Sequence, residues 1–153
     1  MKKQMLENVS LCAIVRDEMM NPAGGITDFV ESTVPFVGEA VIVDTGSIDG
    51  TKDALDKLAR KYSSLKVASH RWKGYGDARN KSMEFATQKH ILILDADERL
   101  TRYDFQELDE FMKENPVPAY DFEFTAVKPN GESKSDGHNP RLFLKNLGLE
   151  FVD

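Results

Sequence analysis

The chain has 153 residues, of which 41% are hydrophobic and 30% charged, and its formal net charge is -6. This length supports one domain with a sizeable core, predicted to span residues 1–153. The acidic balance excludes broad binding to a nucleic-acid backbone, which requires a basic face.

Targeting signals are absent from the pattern. The N-terminus carries two lysines without a following apolar run, so no signal peptide is predicted, and no stretch reaches the roughly 18 apolar residues that a transmembrane helix needs. Cys12 is the only cysteine, which excludes an intrachain disulfide and favours a reducing compartment. We therefore expect a cytoplasmic protein.

The first half of the chain alternates apolar runs with amphipathic segments. Nearly continuous apolar runs, typical of strands buried on both faces, occur at 9–15, 40–43, 65–69 and 90–94. Helical spacing predicts helices at 26–36, from Asp49 as N-cap to Tyr62, at 77–87, and from Thr101 to the prolines at 116 and 118. For the last of these helices, Thr101 and Asp104 resemble a capping box.

The second half reads differently. Residues 120–127 alternate between apolar and polar, Asn130-Gly131 is a tight-turn signal, and 141–144 and 149–152 are predicted to be short strands. The fold class is therefore α/β. We expect a mainly parallel sheet with helices on both faces and mixed or antiparallel strands at the C-terminal edge.

Polar and acidic residues follow three of the predicted strands. They are the segment Arg16-Asp17-Glu18, the residue Asp44, and the segment 95–98. In open α/β sheets ligands bind beyond the carboxyl ends of the strands, so these three ends predict one ligand-binding crevice.

The strongest local signal is ILILDADERL, in which Asp95 and Asp97 follow a buried strand. Carboxylates two residues apart after a strand can face one point, and Mg²⁺ and Mn²⁺ bind one or two carboxylates together with substrate phosphate oxygens. Taken alone, the segment fits equally well as solvated acids near a helix N-terminus.

A second signal is EAVIVDTGSIDGT, where Asp44 ends a strand before a turn. Capping of the next helix accounts for Ser47, Asp49 and Thr51 but not for Asp44. The Asp44 carboxylate is suited to accept a hydrogen bond from a nucleobase N–H or a sugar hydroxyl.

A third signal is HRWKGYGDARNKS, where Arg79 lies in the first turns of a helix after two glycines. Its guanidinium is suited to pair with a diphosphate, and a surface pair with Asp77 is the alternative. We interpret Trp72 and Tyr75 as packing residues, with stacking on a ligand as the alternative for Tyr75 in its glycine-flanked loop.

Cys12 and the isolated residues His70 and His138 are interpreted as structural or surface residues. The cysteine lies mid-strand as a small apolar residue. Of the two histidines, His138 is the better ligand candidate, because it precedes a strand on the side expected to face the crevice.

Taken together and in order, LCAIVRDE, EAVIVDTGSIDGT and GYGDARNKSMEFATQKHILILDADERL resemble family 2 of the inverting glycosyltransferases. These enzymes have the GT-A fold, an α/β domain that binds a nucleotide-diphosphate sugar. NPRLFLKN is similar to the Arg-Leu-Phe strand of relatives that build lipopolysaccharide core and similar glycans. The resemblance covers roughly residues 8 to 152.

The resemblance implies a metal site. Asp97 matches the second aspartate of the family's Asp-x-Asp motif, which binds Mn²⁺ or Mg²⁺ on the donor diphosphate. Asp95 matches the first aspartate, which contacts the ribose or the metal's water shell.

The resemblance also implies a nucleotide-sugar site. Asp44 matches the acid that reads the nucleobase, and Arg79 matches an arginine near the diphosphate. Val15, Arg16 and Glu18 match strand-end residues that line the nucleotide pocket.

The implied activity is metal-assisted transfer of a sugar, with inversion, from a UDP- or GDP-linked donor to a hydroxyl of a glycan, a lipid-linked acceptor or a protein. With a lipid-linked acceptor, peripheral attachment at the inner face of the membrane is an option. The family's general base follows the Arg-Leu-Phe strand, so we expect the base and the acceptor segment to be missing from this chain. Within this chain, Asp136 and Asp153 are the candidate bases.

Three other classes of protein share part of this pattern. A haloacid-dehalogenase phosphatase also uses Asp-x-Asp, but it places Thr or Val where Arg99 stands and opens its domain with the motif. A phospho-acceptor receiver domain has an acidic pair, which Asp17 and Glu18 mimic, but not the strand-rich second half. A non-catalytic nucleotide-sugar-binding module stays open because of the expected missing base.

Overall fold

The computed structural model of the chain describes residues 5–100 and 105–153. The strands are β1 (Leu6–Val15), β2 (Val37–Asp44), β3 (Leu65–Ser69), β4 (His90–Ile93), β5 (Ala119–Val127) and β6 (Ser133–Leu144). The helices are α1 (Gly25–Thr33), α2 (Thr51–Lys61), α3 (Tyr75–Glu84) and α4 (Phe105–Glu114). Short 3-10 turns at Val34–Phe36 and Lys145–Leu147 follow α1 and β6.

The six strands form one sheet in the order β3-β2-β1-β4-β6-β5. The first four are parallel, with Leu11 of β1 opposite both Ala40 of β2 and Leu92 of β4. Strand β6 runs antiparallel to both β4 and β5. The predicted α/β fold, a parallel sheet with antiparallel strands at the C-terminal edge, is confirmed.

Helices cover both faces of the sheet because successive β1 side chains point in opposite directions. Leu11 faces the side where Phe29 of α1 and Leu55 of α2 pack, and α4 adds to the same cluster. Cys12 faces the other side, where Ala86 after α3 joins a smaller cluster. All five side chains are buried, so the centre of the sheet is closed to solvent.

The helix ends differ from prediction in detail. Gly50, at φ 98, is the N-cap of α2. The predicted cap, Asp49, instead accepts hydrogen bonds from the Thr51 amide at 2.9 Å and the Met19 amide at 3.0 Å. Helix α3 begins and ends earlier than 77–87, and the predicted start at Thr101 lies outside the described residues. Among the described helices, none has both the length and the apolar character needed to cross a membrane.

The prediction of a strand at 149–152 is wrong. Two hydrogen bonds with the Asn80 side chain hold Phe151: Asn80 Nδ2 donates to the Phe151 carbonyl at 2.9 Å, and the Phe151 amide donates to Asn80 Oδ1 at 2.8 Å. Because one amide side chain satisfies both backbone groups, this segment has no need of a strand partner.

A buried carboxylate ties the amino-terminal part of the sheet together. Glu39 of β2 accepts hydrogen bonds from Ser10 Oγ of β1 at 2.5 Å and from the Thr87 amide at 2.8 Å, and it pairs with Lys66 of β3. Burial alone would raise the pKa of Glu39, but the hydrogen bonds from Lys66, Ser10 and Thr87 outweigh it and lower the pKa to about 2. The carboxylate is therefore ionised in the native chain at neutral pH.

Candidate functional site

The carboxyl ends of β3, β2, β1 and β4 meet at one edge of the sheet in that order, because the four strands are parallel. A cavity of about 530 Å³ opens at the first three of these ends. Its wall includes Arg16, Asp44, Gly46, His70, Arg71 and Trp72. Residues from the ends of β1, β2 and β3 therefore line one cavity, whereas the sequence predicted the ends of β1, β2 and β4, and the segment 95–98 is not part of the cavity wall.

Asp44 lines this cavity, and one of its carboxylate oxygens is buried without a hydrogen-bond partner among the described residues. Its Oδ1 accepts from the amides of Gly46 at 3.0 Å and Ser47 at 3.1 Å, which shapes the turn after β2. Its Oδ2 has no hydrogen-bond partner in the described chain, although the residue is 3% exposed. A buried acceptor without a partner is costly, so this oxygen is suited to a donor group of a ligand.

The loop after β1 is joined to the loop after β2 by reciprocal bonds. The Asp17 amide donates to Ser47 Oγ at 2.9 Å, and the Ile48 amide donates to Asp17 Oδ1 at 2.7 Å. The Glu18 amide donates to Thr51 Oγ1 at 2.8 Å. Asp17 has φ 55, a left-handed conformation that aspartate tolerates better than most residues. The two loops form one wall of the crevice.

Asn21 and Arg99 join the same loop to the one after β4. Asn21 Nδ2 donates to the Ala96 carbonyl at 3.2 Å and to Glu18 Oε2 at 3.0 Å. The Arg99 guanidinium donates to the carbonyls of Ala96 at 2.8 Å and Ala23 at 2.9 Å. Every strand-end loop that carries predicted site residues is thus held by its neighbour.

Two arginines from other elements pair with two of the three acidic side chains, Asp95 and Glu98, in the loop after β4. Arg79 of α3 pairs with Asp95. Arg141 of β6 pairs with Glu98 at 2.7 Å. Burial lowers the pKa of Arg79, and the nearby charge of Arg141 lowers it further. Burial raises the pKa of Glu98, an effect that Arg141 opposes. The guanidiniums reduce the repulsion among carboxylates that are close in sequence.

Asp97 is the free carboxylate of this loop. It is exposed and makes no hydrogen bond or ion pair with another described residue, and the Asp95 side chain beside it is 44% exposed. Within residues 5–100 and 105–153, no group of three or more His, Cys, Asp or Glu could hold a metal ion by itself. Two hard oxygen ligands that leave the remaining positions to water and phosphate fit Mg²⁺ or Mn²⁺ better than Zn²⁺.

The predicted nucleotide-binding residues do not all reach the cavity. Arg16 and Asp44 line it. Val15 is buried behind it, and its carbonyl accepts from the Thr45 amide at 3.0 Å. Glu18 is directed to Asn21 in the β1 loop. Only Arg16 and Asp44 of these residues therefore lie at the cavity wall.

The sequence analysis missed the residues that follow β3. His70, predicted to be isolated, lines the cavity and contacts Asp77 at 2.5 Å through Nε2. Asp77 is thus paired with His70, and the alternative of an Asp77–Arg79 pair is wrong. The Trp72 and Tyr75 rings contact each other edge to face, with centroids 4.8 Å apart, and the two residues are 38% and 71% exposed. The position directly after a parallel strand was the signal for the missed residues.

Cys12 and His138 lie away from this site. Burial raises the pKa of the Cys12 thiol to about 12, as expected for an unreactive core cysteine. His138 is exposed on β6, opposite Glu123 of β5. Neither residue lines the cavity.

Comparison with known proteins supports the class that this fold and site indicate. Residues 28–150 match the family model described as glycosyl transferase family 2. The chain belongs to this family, and its sheet and helices have the GT-A fold.

Three similar proteins illustrate the relationship. The Bacillus subtilis (strain 168) protein TuaG, assigned as a glycosyltransferase to teichuronic acid biosynthesis, is 30% identical over 104 residues, which cover 63% of this chain and 41% of TuaG. S. aureus TarS 1-349 in complex with UDP-GlcNAc superposes with a TM-score of 0.61 at 22% identity, over 73% of this chain and 33% of that one. Mannosyltransferase PcManGT from Pyrobaculum calidifontis, in complex with GDP-Man and Mn²⁺, gives 0.60 at 20% identity, over 82% and 37%. This chain therefore spans well under half the length of each of the three.

Proposed function

We propose that this chain binds a nucleotide-diphosphate sugar at the carboxyl ends of its parallel strands and, with a divalent cation, transfers the sugar with inversion to an acceptor hydroxyl. Membership of glycosyl transferase family 2 supports the reaction class. The observation that carries the proposal is the Asp44 oxygen without a hydrogen-bond partner among the described residues. It belongs to a cavity whose β1 loop is bonded to the Asp95–Asp97 loop.

The nucleoside end of the donor belongs in the cavity at β1, β2 and β3. Asp44 Oδ2 would accept an N–H of the base or a hydroxyl of the ribose, and Trp72 offers a partly exposed ring at the same wall. Arg16 brings a positive charge to this wall. Similar structures contain UDP-GlcNAc in one case and GDP-Man in another, so both nucleotides are candidates.

The diphosphate belongs beside the loop after β4. Asp97, with Asp95, would hold Mg²⁺ or Mn²⁺, which when bound neutralises charge on the departing nucleoside diphosphate. Asp95 pairs with Arg79, whose Nη1 has no hydrogen-bond partner in the described chain. Arg79 is therefore suited to add a phosphate oxygen to its contacts.

The acceptor side separates transfer from simple donor binding. Of the two candidate bases within the chain, Asp136 is exposed on β6 and Asp153 accepts a hydrogen bond from the Gly76 amide at 2.6 Å. Neither the exposure of Asp136 nor the hydrogen bond of Asp153 indicates a role in deprotonating a hydroxyl. A non-catalytic nucleotide-sugar-binding module is therefore the second candidate function. The acceptor class (glycan, lipid-linked or protein), the single-domain organisation of residues 1–153 and the cytoplasmic location, with peripheral membrane attachment for a lipid-linked acceptor, stay predictions.

Calorimetric titration of UDP and GDP with and without Mn²⁺ tests the proposal. We expect Asp97→Ala to abolish the gain in affinity that Mn²⁺ produces and to leave metal-free binding unchanged. Asp44→Asn should weaken binding by about 10-fold to 100-fold in both conditions, because a hydrogen bond to a charged group contributes about 1.5–3 kcal/mol. Asp121→Ala, on the exposed side of β5, is the matched control and should bind like the wild type.

Two results would count against the proposal. Failure of the wild type to bind either nucleotide in any condition would rule out the donor site. Equal loss in Asp97→Ala with and without Mn²⁺ would rule out the assigned metal role. Donor binding without release of sugar, either to water or to an acceptor, would select the binding-module alternative.

A further inference from the structure

Arg141 of β6 reaches the metal loop from outside the strand-end loops. Its Nη2 donates to Glu98 Oε1 at 2.7 Å. The other oxygen of Glu98 accepts the backbone amide of Asp95 at 2.8 Å, and the Glu98 amide donates back to the Asp95 carbonyl at 3.0 Å. Glu98 therefore bridges Arg141 to both backbone groups of the first aspartate.

The Arg141–Glu98 pair is well shielded for a pair at the edge of a crevice. The two side chains are 19% and 20% exposed. The guanidinium also lies over the ring of Phe124 in β5, with Cζ 4.6 Å from the ring centroid. Shielding from water and contacts on two sides restrict Arg141 to one orientation, which an exposed pair would not achieve.

We infer that Arg141 is a positioning residue, which through Glu98 fixes the backbone at Asp95 and so sets the directions of the Asp95 and Asp97 carboxylates for the divalent cation. This inference rests on the proposed function. Without Arg141, the largely buried Glu98 carboxylate would lose its ion-pair partner and turn toward water, and it would release the Asp95 amide. Partners that orient metal ligands commonly contribute about 10-fold to 100-fold to metal affinity.

Metal-free and metal-bound measurements together test this inference. In the metal-free protein, hydrogen exchange should become faster in Arg141→Gln at the Asp95 amide and its loop, and not in β1 or β2. In calorimetry, Arg141→Gln should lower Mn²⁺-dependent nucleotide affinity by about 10-fold to 100-fold and leave metal-free nucleotide binding unchanged. Arg141→Lys keeps the charge and one donor, so it should restore part of the loss.

A double-mutant cycle and a control complete the design. Glu98→Gln should reproduce the defect, and the double variant Arg141→Gln, Glu98→Gln should be no worse than either single one, because both act through one contact. Lys128→Gln removes an exposed pair with Glu132 on the β5–β6 hairpin and should change neither readout.

The outcomes separate this inference from the proposed function. A wild type that shows no metal-dependent nucleotide binding overturns the proposed function itself. If the wild type shows metal-dependent nucleotide binding and Arg141→Gln shows the same Mn²⁺ dependence, the inference alone is overturned. General acceleration of exchange across the sheet, with metal-free binding lost as well, would assign Arg141 a purely structural role and also overturn the inference.

Discussion

Replacing Glu39 by glutamine should lower the free energy of unfolding at neutral pH, because it removes a buried charge shared by three strands and the segment after α3. Burial would raise the pKa of Glu39, but hydrogen bonds from Lys66, Ser10 and Thr87 lower it from 4.5 to about 2. A difference of that size between the native and unfolded chains corresponds to roughly 3 kcal/mol. Glu39 is 4% exposed, but the half-exposed Lys66 makes this figure an upper bound.

The effect of this substitution depends on pH with a defined sign. The unfolded carboxyl takes up its proton near pH 4.5 and the native one near pH 2, so between these values the unfolded chain binds more protons. The contribution of Glu39 is complete above pH 4.5 and is lost as pH falls through 2. By about pH 3.5 roughly 1.4 kcal/mol of it is gone. The difference in stability between wild type and Glu39→Gln should therefore narrow on acidification.

Urea unfolding followed by circular dichroism, at about pH 7 and about pH 3.5, measures this difference. Glu31→Gln is the control, since Glu31 forms an exposed pair with Lys61 at 2.6 Å and should give a far smaller loss of stability. A difference between wild type and Glu39→Gln that is the same at both pH values would refute the assignment of a depressed pKa to Glu39.

Three other predictions concern the backbone, a thiol and an imidazole. Gly25→Ala should lower the melting temperature more than Gly50→Ala. Both glycines have positive φ, but of the two only Gly25 is so close to a backbone atom, the Met19 carbonyl oxygen, that an added Cβ would lie 2.5 Å from it. Equal melting temperatures of the two variants would contradict this. Burial raises the pKa of Cys12 to about 12, so at about pH 8 iodoacetamide should alkylate Cys12 only after the protein is unfolded, which mass spectrometry measures. Fast alkylation of the native protein would show that the thiol is not buried in this way. Burial lowers the pKa of His90 below its ordinary value of 6.5, so the midpoint of its NMR titration should lie below 6.5, and a higher midpoint would contradict this. The stability that neutral His90 contributes is present above pH 6.5 and is lost as pH falls through the native pKa.

The parallel half of the sheet was predictable because a strand buried on both faces must be apolar along its length. The prediction for β3 matches its observed bounds, and those for β1, β2 and β4 differ from the observed strands only at their ends. Strand β6 shows the opposite case. Residues 133–140 are exposed and polar, and only the apolar segment that pairs with β4 was recognised as a strand. Hairpin pairing with β5 forms the rest and leaves no hydrophobic pattern.

The positions of the acids at the site were predictable from strand ends, but their partners were not. In the sequence, Asp95 lies four residues before Arg99 and Asp77 lies two residues before Arg79. In the structure, Asp95 instead pairs with Arg79, and Asp77 pairs with His70. The direction of α3 after its glycine-rich start determines these two pairings, and the spacing of residues in the sequence does not reveal that direction. The Arg141–Glu98 pair joins residues far apart in sequence and depends on where β6 inserts in the sheet.

The strand order also has a consequence for how the chain folds. Strand β1 is made first and ends at the centre of the sheet, with β2 on one side and β4 on the other. Strand β1 pairs with β2, which follows it closely in the sequence. The other edge of β1 is covered only when β4 has been made, because Val9 of β1 pairs with His90 of β4. During synthesis, β1 therefore keeps one apolar edge unpaired until β4 has emerged, and an unpaired edge of this kind favours chaperone binding and self-association.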